Sequence, residues 1–393
     1  MGNGPPLTID LFCGAGGITE GFRQEGFECL FANDVDQDAI KTFQLNHPSV
    51  DVDDGPIEAI DPFRIRGKLG LAKTELDCLT GGPPCQGFSI NAPGRFLDDP
   101  RNALFQQFVA FVREFEPKTI FFENVPGMVS FADGLVLGQV VRQFASLGYF
   151  VEAKILFSAH YGVPQERWRL VILGGREGYS PTFPSPKYYA IARANFTGGK
   201  NLTYKLYDAH RESLAPMVTV QQAIGDLPPL GSGQGEEHTG YTSDPHSEYA
   251  NRMRKGTMVL RHHVSARIAE INLQRLKYIP PGGSWRDIPF DLLPAGMKKA
   301  RRSDHTKRYG RLTPDGLAGT VMTKMDPHWG PAFHYEQERT LTVREAARLQ
   351  SFPDSYTFQG SRGAQYRQVG NAVPVLMAGA IGHALRNCLE GTI

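Results

Sequence analysis

The residues best suited to chemistry gather around one cysteine. Leu79-Thr80-Gly81-Gly82-Pro83-Pro84-Cys85-Gln86-Gly87-Phe88-Ser89 follows a short apolar run, Leu76 to Leu79, that reads as a buried strand. A thiolate is a strong nucleophile near neutral pH if its charge is stabilised. The two prolines restrict the backbone ahead of Cys85, so the sulfur can be aimed without ordering a loose loop. A free cysteine standing alone is more often buried and inert; Cys85 gains weight from the rest of the chain. Thr119-Ile120-Phe121-Phe122-Glu123-Asn124-Val125-Pro126-Gly127 is a second apolar run, and it ends in a carboxylate. In an open α/β sheet both runs would deliver their last residues to the crevice beyond the carboxyl ends of the strands. Gln165-Glu166-Arg167-Trp168-Arg169 then leads into an apolar run, Leu170 to Leu173, with two arginines at i and i+2 on one face of an extended segment.

A ligand site is legible at the start of the chain. Leu7 to Phe12 is β-rich, Cys13-Gly14-Ala15-Gly16-Gly17 is a glycine loop, and Ile18 to Glu25 is amphipathic. Strand, glycine loop and helix open a doubly wound nucleotide-type fold. Asp34 lies 20 residues after Gly14, at the end of a strand spanning Glu28 to Ala32, where an acid suits two vicinal ribose hydroxyls. The third glycine of a dinucleotide fingerprint would fall at Thr19. A ligand with adenosine but no pyrophosphate fits better.

The elements that must position these groups follow in order. Helical periodicity covers Arg101 to Phe115 and Leu135 to Leu147, with a strand at Glu152 to Phe157. Gln86 to Arg101 is polar and rich in Gly and Pro, long enough for a lid over the cysteine. Past about Ser180 the strand–helix alternation fades, and Gly231 to Pro245 reads as an exposed loop. Regular α/β character resumes near Thr342, with a helix from Val343 to Leu349 and a last one opened by Gly370-Asn371-Ala372-Val373-Pro374 and running through Leu389.

A chain of 393 residues suggests two domains. Its five cysteines, at 13, 29, 78, 85 and 388, show no CxxC spacing, which argues for a reducing compartment and against a structural zinc site. No apolar run approaches the roughly 18 residues of a membrane helix, and the amino terminus lacks a signal-peptide pattern; a cytoplasmic protein is expected. The net charge of +1 hides an asymmetry: residues 1–80 hold 14 Asp/Glu against 6 Lys/Arg, whereas residues 252–311 hold 15 Lys/Arg against 4 Asp/Glu. The second stretch should attract polyanions. Lys298, Lys299, Arg301 and Arg302, with Lys307 and Arg308, would make a phosphate-contacting patch, with Trp285, His262, His263 and Tyr309 interleaved.

Taken jointly and in order, these blocks resemble the DNA (cytosine-5)-methyltransferases of the bacterial type. The matching blocks are DLFCGAGG (10–17), NDVD (33–36), GGPPCQGFS (81–89), ENVPG (123–127), QERWR (165–169), RLTPDGLAGTV (311–321), RTLTVREAARLQSFPD (339–354) and GNAVP (370–374). The resemblance implies an α/β fold: a doubly wound, Rossmann-like sheet of the SAM-dependent methyltransferases with a second, smaller target-recognition domain. It places the first part of the catalytic domain at 1–185, target recognition at 186–335, and a return to the catalytic domain at 336–393, whose last helix packs beside the first strand.

The resemblance also implies roles. Cys85 adds to C6 of cytosine and makes C5 reactive. Glu123 hydrogen-bonds N3 and the exocyclic amine and supplies a proton, which asks for a carboxyl with a raised pKa. Arg167 is the favoured cation beside the thiolate and holds the cytosine O2, with Arg169 supporting it. The methyl donor, S-adenosylmethionine, leaves as S-adenosylhomocysteine, and no metal is implied. Phe12, Gly14, Ala15, Gly16, Gly17, Asp34, Val35, Pro84, Leu104, Asn371 and Ala372 would line its site. Val35 replaces an aromatic found in several relatives, and Gly55-Pro56-Ile57 stands where many have Gly-Asp-Ile, so the contact to the adenine amine is unassigned. Gln86, Ser89, Lys298, Lys299, Arg301, Arg302, Arg311 and Thr320 would contact double-stranded DNA from which the target is flipped. A monomer is expected, in a restriction-modification setting where a cognate endonuclease acts on the same site without touching it. The rival readings are the same chemistry on tRNA, a non-catalytic regulator that keeps the fold, and a nicotinamide dehydrogenase.

Overall fold

The computed structural model describes residues 4–391 except 85–102, 131–133, 192, 193, 195, 197, 207–209 and 304–306. Cys85, Gln86 and Ser89 lie outside the described residues. The chain divides into two compact units: residues 1–161, 168–215 and 373–393 form one, and 162–167 and 216–372 form the other.

The first unit is built on β1 (Leu7–Leu11), α1 (Gly17–Gln24), β2 (Glu28–Asn33), α2 (Gln37–Asn46), β3 (Asp51–Asp53), α3 (Pro62–Leu69), β4 (Cys78–Gly81), α4 (Ala103–Phe115), β5 (Thr119–Asn124), α5 (Gly127–Ser130), α6 (Leu135–Ser146), β6 (Phe150–Phe157) and β7 (Trp168–Gly175). The strands form one sheet in the order β3-β2-β1-β4-β5-β7-β6. Neighbours are parallel except at β7, which runs antiparallel to both β5 and β6. The order reverses beside β1, whose partners are β2 and β4, and this is where an open α/β sheet offers its crevice. The carboxyl ends of β1, β2, β4 and β5 share one edge of the sheet. The antiparallel β7 brings its first residues to that same edge, with Asn124 opposite Leu170 and Glu123 opposite Val171.

Burial on both faces explains the near-continuous apolar character of β4 and β5. On one face Phe105 and Phe108 of α4 meet Phe122 of β5 and Phe144 of α6 edge-on, with ring centroids 5.4–5.9 Å apart. On the other, Phe22 of α1 stacks on Phe121 at 5.8 Å. The C-terminal helix, Val375–Glu390, packs on α1, the helix that follows β1. The approach is close: a Cβ at Gly21 would sit 2.6 Å from both the Ala378 Cβ and the Val375 carbonyl. Residues 362–390 include a stretch long and apolar enough to cross a membrane by composition, with mean hydropathy 1.2, but 56% of it is buried inside the protein. That is the pattern of a core helix.

The second unit has short elements around its own core of Leu276, Ile279, Trp285, Ile288, Met297, Tyr309 and Phe333. The expected loop at 231–245 contains a strand, Gly235–Thr239, paired antiparallel with Leu260–Val264. Its exposed, polar sequence carries no apolar alternation, which is why the pairing is not legible. Trp285, His262, His263 and Tyr309, expected among the basic residues as a nucleic-acid surface, are all buried. Residues 336–372 cluster with this unit rather than with the sheet. Buried arginines explain the attachment: Arg348 pairs with Asp226, and Arg344 donates to the Arg261 carbonyl.

Candidate active site

At the carboxyl end of β1 the chain turns sharply. Phe12 holds the left-handed backbone at φ +58°, and Gly14 and Gly16 follow at +52° and +86°. A non-glycine residue in that region is strained and is held there by its surroundings. The Cys13 amide donates to the Asn33 carbonyl at 3.0 Å and the Gly16 amide to the Cys13 carbonyl at 2.9 Å. Asp34 fastens the loop to the end of β2, accepting from the Gly14 amide at 2.9 Å and the Asp36 amide at 2.8 Å. Burial pushes its carboxyl up, against the pull of these amides. Ala15, Gly16 and Gly17 are buried, Phe12 is half-buried, and Val35 is 67% exposed beside Asp34. This glycine cradle with one adjacent carboxylate fits an adenosyl group. At β3, Asp53 accepts from the Gly55 amide at 2.9 Å and Ile57 is in the core.

Beneath the loop lies Asp10, whose role is not evident from the sequence motifs. It is 1% exposed and accepts from the Thr19 hydroxyl of α1 at 2.6 Å and the Thr80 hydroxyl of β4 at 2.8 Å. Burial raises its pKa to about 6. An acid inside an apolar strand, Leu7-Thr8-Ile9-Asp10-Leu11, is the signal that could have found it.

The ends of β4, β5 and β7 form the second cluster. The Glu123 carboxylate pairs with the Arg169 guanidinium at 2.7 Å, and both side chains are nearly buried, at 12% and 14% exposure. A Cβ on Gly82 would come within 2.8 Å of a Glu123 carboxylate oxygen, so a side chain there would have to displace that carboxylate. Asn124 donates to the Pro83 carbonyl at 3.0 Å and accepts from the Val125 amide at 2.8 Å. It thereby ties the proline segment that leads into Cys85 to the end of β5. Pro84 is exposed and Leu104 packs at the edge of the main core.

The two arginines have different surroundings. Arg167, expected beside the thiolate, is 1% exposed in the second unit, and its guanidinium donates to the carbonyls of Gly370 (2.8 Å), Ala372 (3.0 Å) and Val321 (3.4 Å). The guanidinium that faces Glu123 is that of Arg169, expected as the supporting residue. Asn371 and Ala372 also belong to the second unit; Asn371 is exposed. There the Thr320 hydroxyl donates to the Glu166 carbonyl at 2.7 Å. Arg311, expected on DNA, donates to the carbonyls of Ile279, His334, Tyr335 and Glu336 and so braces the unit's own backbone. Lys298, Lys299, Arg301 and Arg302 are exposed.

The remaining cysteines are poor nucleophiles. Burial pushes the Cys29 and Cys78 thiols up to about 12, Cys13 well above its ordinary value, and Cys388 upward. Among the described residues no group of three or more His, Cys, Asp or Glu could hold a metal.

Comparison with known proteins agrees with this arrangement. The family model for C-5 cytosine-specific DNA methylase matches residues 7–387. The chain is 36% identical to the type II methyltransferase M.AgeI of Thalassovita gelatinovora, over 96% of this chain and 99% of that protein. It is 34% identical to the type II methyltransferase M1.HphI of Haemophilus parahaemolyticus, over 96% of this chain and 86% of the relative. Its fold matches the crystal structure of a putative DNA modification methyltransferase encoded within an E. coli prophage, with TM-score 0.73 and 23% identity, covering 98% of this chain and 99% of the other. A sheet with a glycine loop after its first strand, a carboxylate–guanidinium pair at the carboxyl end of its fifth, and a family match across nearly its whole length lead to one conclusion: this chain belongs to the C-5 cytosine-specific DNA methylases and is a DNA (cytosine-5)-methyltransferase.

Proposed function

We propose that the protein methylates C5 of a cytosine flipped out of double-stranded DNA, using S-adenosylmethionine and a covalent bond between Cys85 Sγ and C6. The observation that carries this reading is the Glu123–Arg169 pair beside Gly82 and Asn124. It assembles, next to the segment leading to Cys85, an acceptor for an exocyclic amine and a cation for a carbonyl oxygen. Cys85 is favoured as nucleophile because the other four cysteines are held as thiols by burial.

Bound in the glycine cradle, S-adenosylmethionine supplies an electrophilic methyl group. The chain's own residues do the rest. The Cys85 thiolate adds at C6, and the displaced electron pair spreads over C5, N3 and O2. Arg169, rather than Arg167, faces O2 and stabilises the charge that builds there. Glu123 accepts from the exocyclic amine and holds the ring against the sulfur. After methylation a base, which we take to be water, removes the C5 proton; the electron pair expels Cys85 and restores the aromatic ring. Asn124 acts through the Pro83 carbonyl as a positioning residue. Asp34 takes the ribose hydroxyls and Phe12 lies against the adenine. A base inside a duplex is out of reach of this machinery, so extrusion is required. We read the enzyme as a cytoplasmic monomer of the modification type, whose cognate endonuclease cuts the same site without direct contact.

Bisulfite sequencing of plasmid from cells expressing the protein identifies the methylated site. A duplex carrying 5-fluorocytosine at that site should then form a denaturation-resistant adduct, because fluorine cannot leave as the proton does. Cys85→Ser should form no adduct and transfer no methyl group while still binding S-adenosylmethionine. An adduct with the serine variant, or methylation of tRNA in preference to the duplex, would overturn the reading.

A further inference from the structure

Trp329 is an exposed aromatic on a rigid mount. Of the three tryptophans, Trp285 is 3% exposed, Trp168 stacks on Phe157 at 4.3 Å, and Trp329 is 62% exposed. The Arg308 guanidinium lies over its ring, 5.4 Å from the centroid. The turn that presents it is fixed from three sides. The Trp329 amide donates to the Asp326 carbonyl at 3.0 Å, and the Tyr309 amide to the Pro327 carbonyl at 2.7 Å. His328 bridges Asp326, 2.9 Å from Nδ1, and the buried Tyr309 hydroxyl, 2.6 Å from Nε2. Tyr309 itself holds φ +53°. A strained tyrosine and a doubly bonded histidine are a large investment in holding one surface turn.

The mount sits on the same module as Thr320. Gly310 pairs with Pro331, and a Cβ at Gly319 would lie 2.8 Å from the Pro331 Cγ and 3.8 Å from the Lys307 Nζ. A Cβ at Gly330 would lie 3.5 Å from the Cγ of Met322, which is 43% exposed two residues beyond Thr320. Met322 and Lys324 are both exposed, while the Lys307 ammonium pairs with Glu166 at 2.6 Å, so Arg308 is the cation shown on the indole itself. Apolar faces flanked by cations suit a nucleotide, whose base offers a π-face and whose phosphate offers charge.

We propose that Trp329, with Arg308, is a stacking platform for a base of the substrate DNA that has lost its own stacking partner. This rests on the reading that the substrate is duplex DNA with the target flipped. Arg308 holds the indole in its presenting orientation and meets the adjoining phosphate, and Met322 fills the edge of the platform.

The test uses the full chain, S-adenosylhomocysteine and a duplex bearing the site mapped by bisulfite sequencing. Acrylamide quenching of tryptophan fluorescence should fall when the duplex is added to the wild type. Trp329→Phe should lose that change, since its remaining tryptophans are not on the platform, and should bind near wild-type affinity because a phenyl ring still stacks. Trp329→Ala should weaken duplex binding roughly ten-fold, with unchanged melting temperature and S-adenosylhomocysteine affinity. Quenching indifferent to duplex, or a Trp329→Ala affinity within two-fold of wild type, overturns the platform while the methyltransferase reading stands. Protection produced by raising protein concentration alone would assign the surface to contact between copies and also overturn it. A wild type that neither binds nor methylates any duplex removes both proposals.

Discussion

Arg167 and Arg169 are two residues apart on an extended segment, and their side chains have different work. Arg169 meets a carboxylate at 2.7 Å, whereas Arg167 gathers three main-chain carbonyls. The sequence shows two cations with one spacing; it does not show which has a carboxylate opposite. That depends on β7 running antiparallel beside β5, a pairing between segments about 45 residues apart in the chain. Arg169→Ala should lower kcat per folded molecule about 100-fold or more, the cost of removing one group that stabilises developing charge, and should also lower the melting temperature because the nearly buried Glu123 loses its partner. Arg167→Ala strips partners from buried carbonyls and should lower stability by about 3 kcal/mol, with kcat per folded molecule largely retained. Thermal melts and steady-state kinetics on both variants separate the two roles. The same limit applies at Arg311, whose cationic type suggests DNA and whose guanidinium is occupied by four carbonyls of its own unit. Glu123 was legible because an acid closing an apolar run is costly unless it is used.

Among elements, β1, α1 and β4 are joined under the glycine loop by Asp10, through Thr19 and Thr80. Its carboxyl, raised from 3.8 to about 6 by burial, holds its proton more tightly in the folded protein than in the unfolded chain. Folding therefore takes up a proton between about pH 4 and 6, and this contribution to stability is lost as pH rises through that window. The loss is of order 3 kcal/mol. Asp10→Asn keeps a partner for each hydroxyl and has nothing to ionise. Subtracting its urea-unfolding free energies from those of the wild type, from about pH 4 to 8, should give a curve that falls and then levels above about 6. A flat difference curve would show that Asp10 does not titrate there. Most elements of the sheet were legible because burial on both faces writes itself as apolar runs of strand length, and Val343–Leu349 because Thr342 and Glu345 form a capping box. The strand Gly235–Thr239 was not, because its residues face solvent.

For the molecule as a whole, the +1 net charge conceals a basic stretch whose lysines and arginines split into two populations. Lys298, Lys299, Arg301 and Arg302 are exposed, while Arg311 and the aromatic and histidine residues between them serve the interior. Duplex affinity should fall steeply with salt. Replacing the four exposed residues by alanine should reduce the log–log slope by about 0.9 for each phosphate that is no longer neutralised. Fluorescence anisotropy between about 50 and 200 mM salt reads the slope directly; an unchanged slope would place the phosphate-binding cations elsewhere. Charge asymmetry was legible in the sequence, but the division into units was not. The expected breaks at 185 and 335 come from the resemblance, whereas the compact units divide at 161, 167, 215 and 372 and follow tertiary pairings such as Arg348 with Asp226. One consequence concerns the six residues 162–167. Gln165 binds the Leu349 carbonyl and the Val321 amide, and Glu166 and Pro164 exchange main-chain bonds with Ala318. A specificity graft that moved only 216–372 between relatives would leave this hexapeptide behind as a mismatched seam, so the transplantable cassette has two pieces.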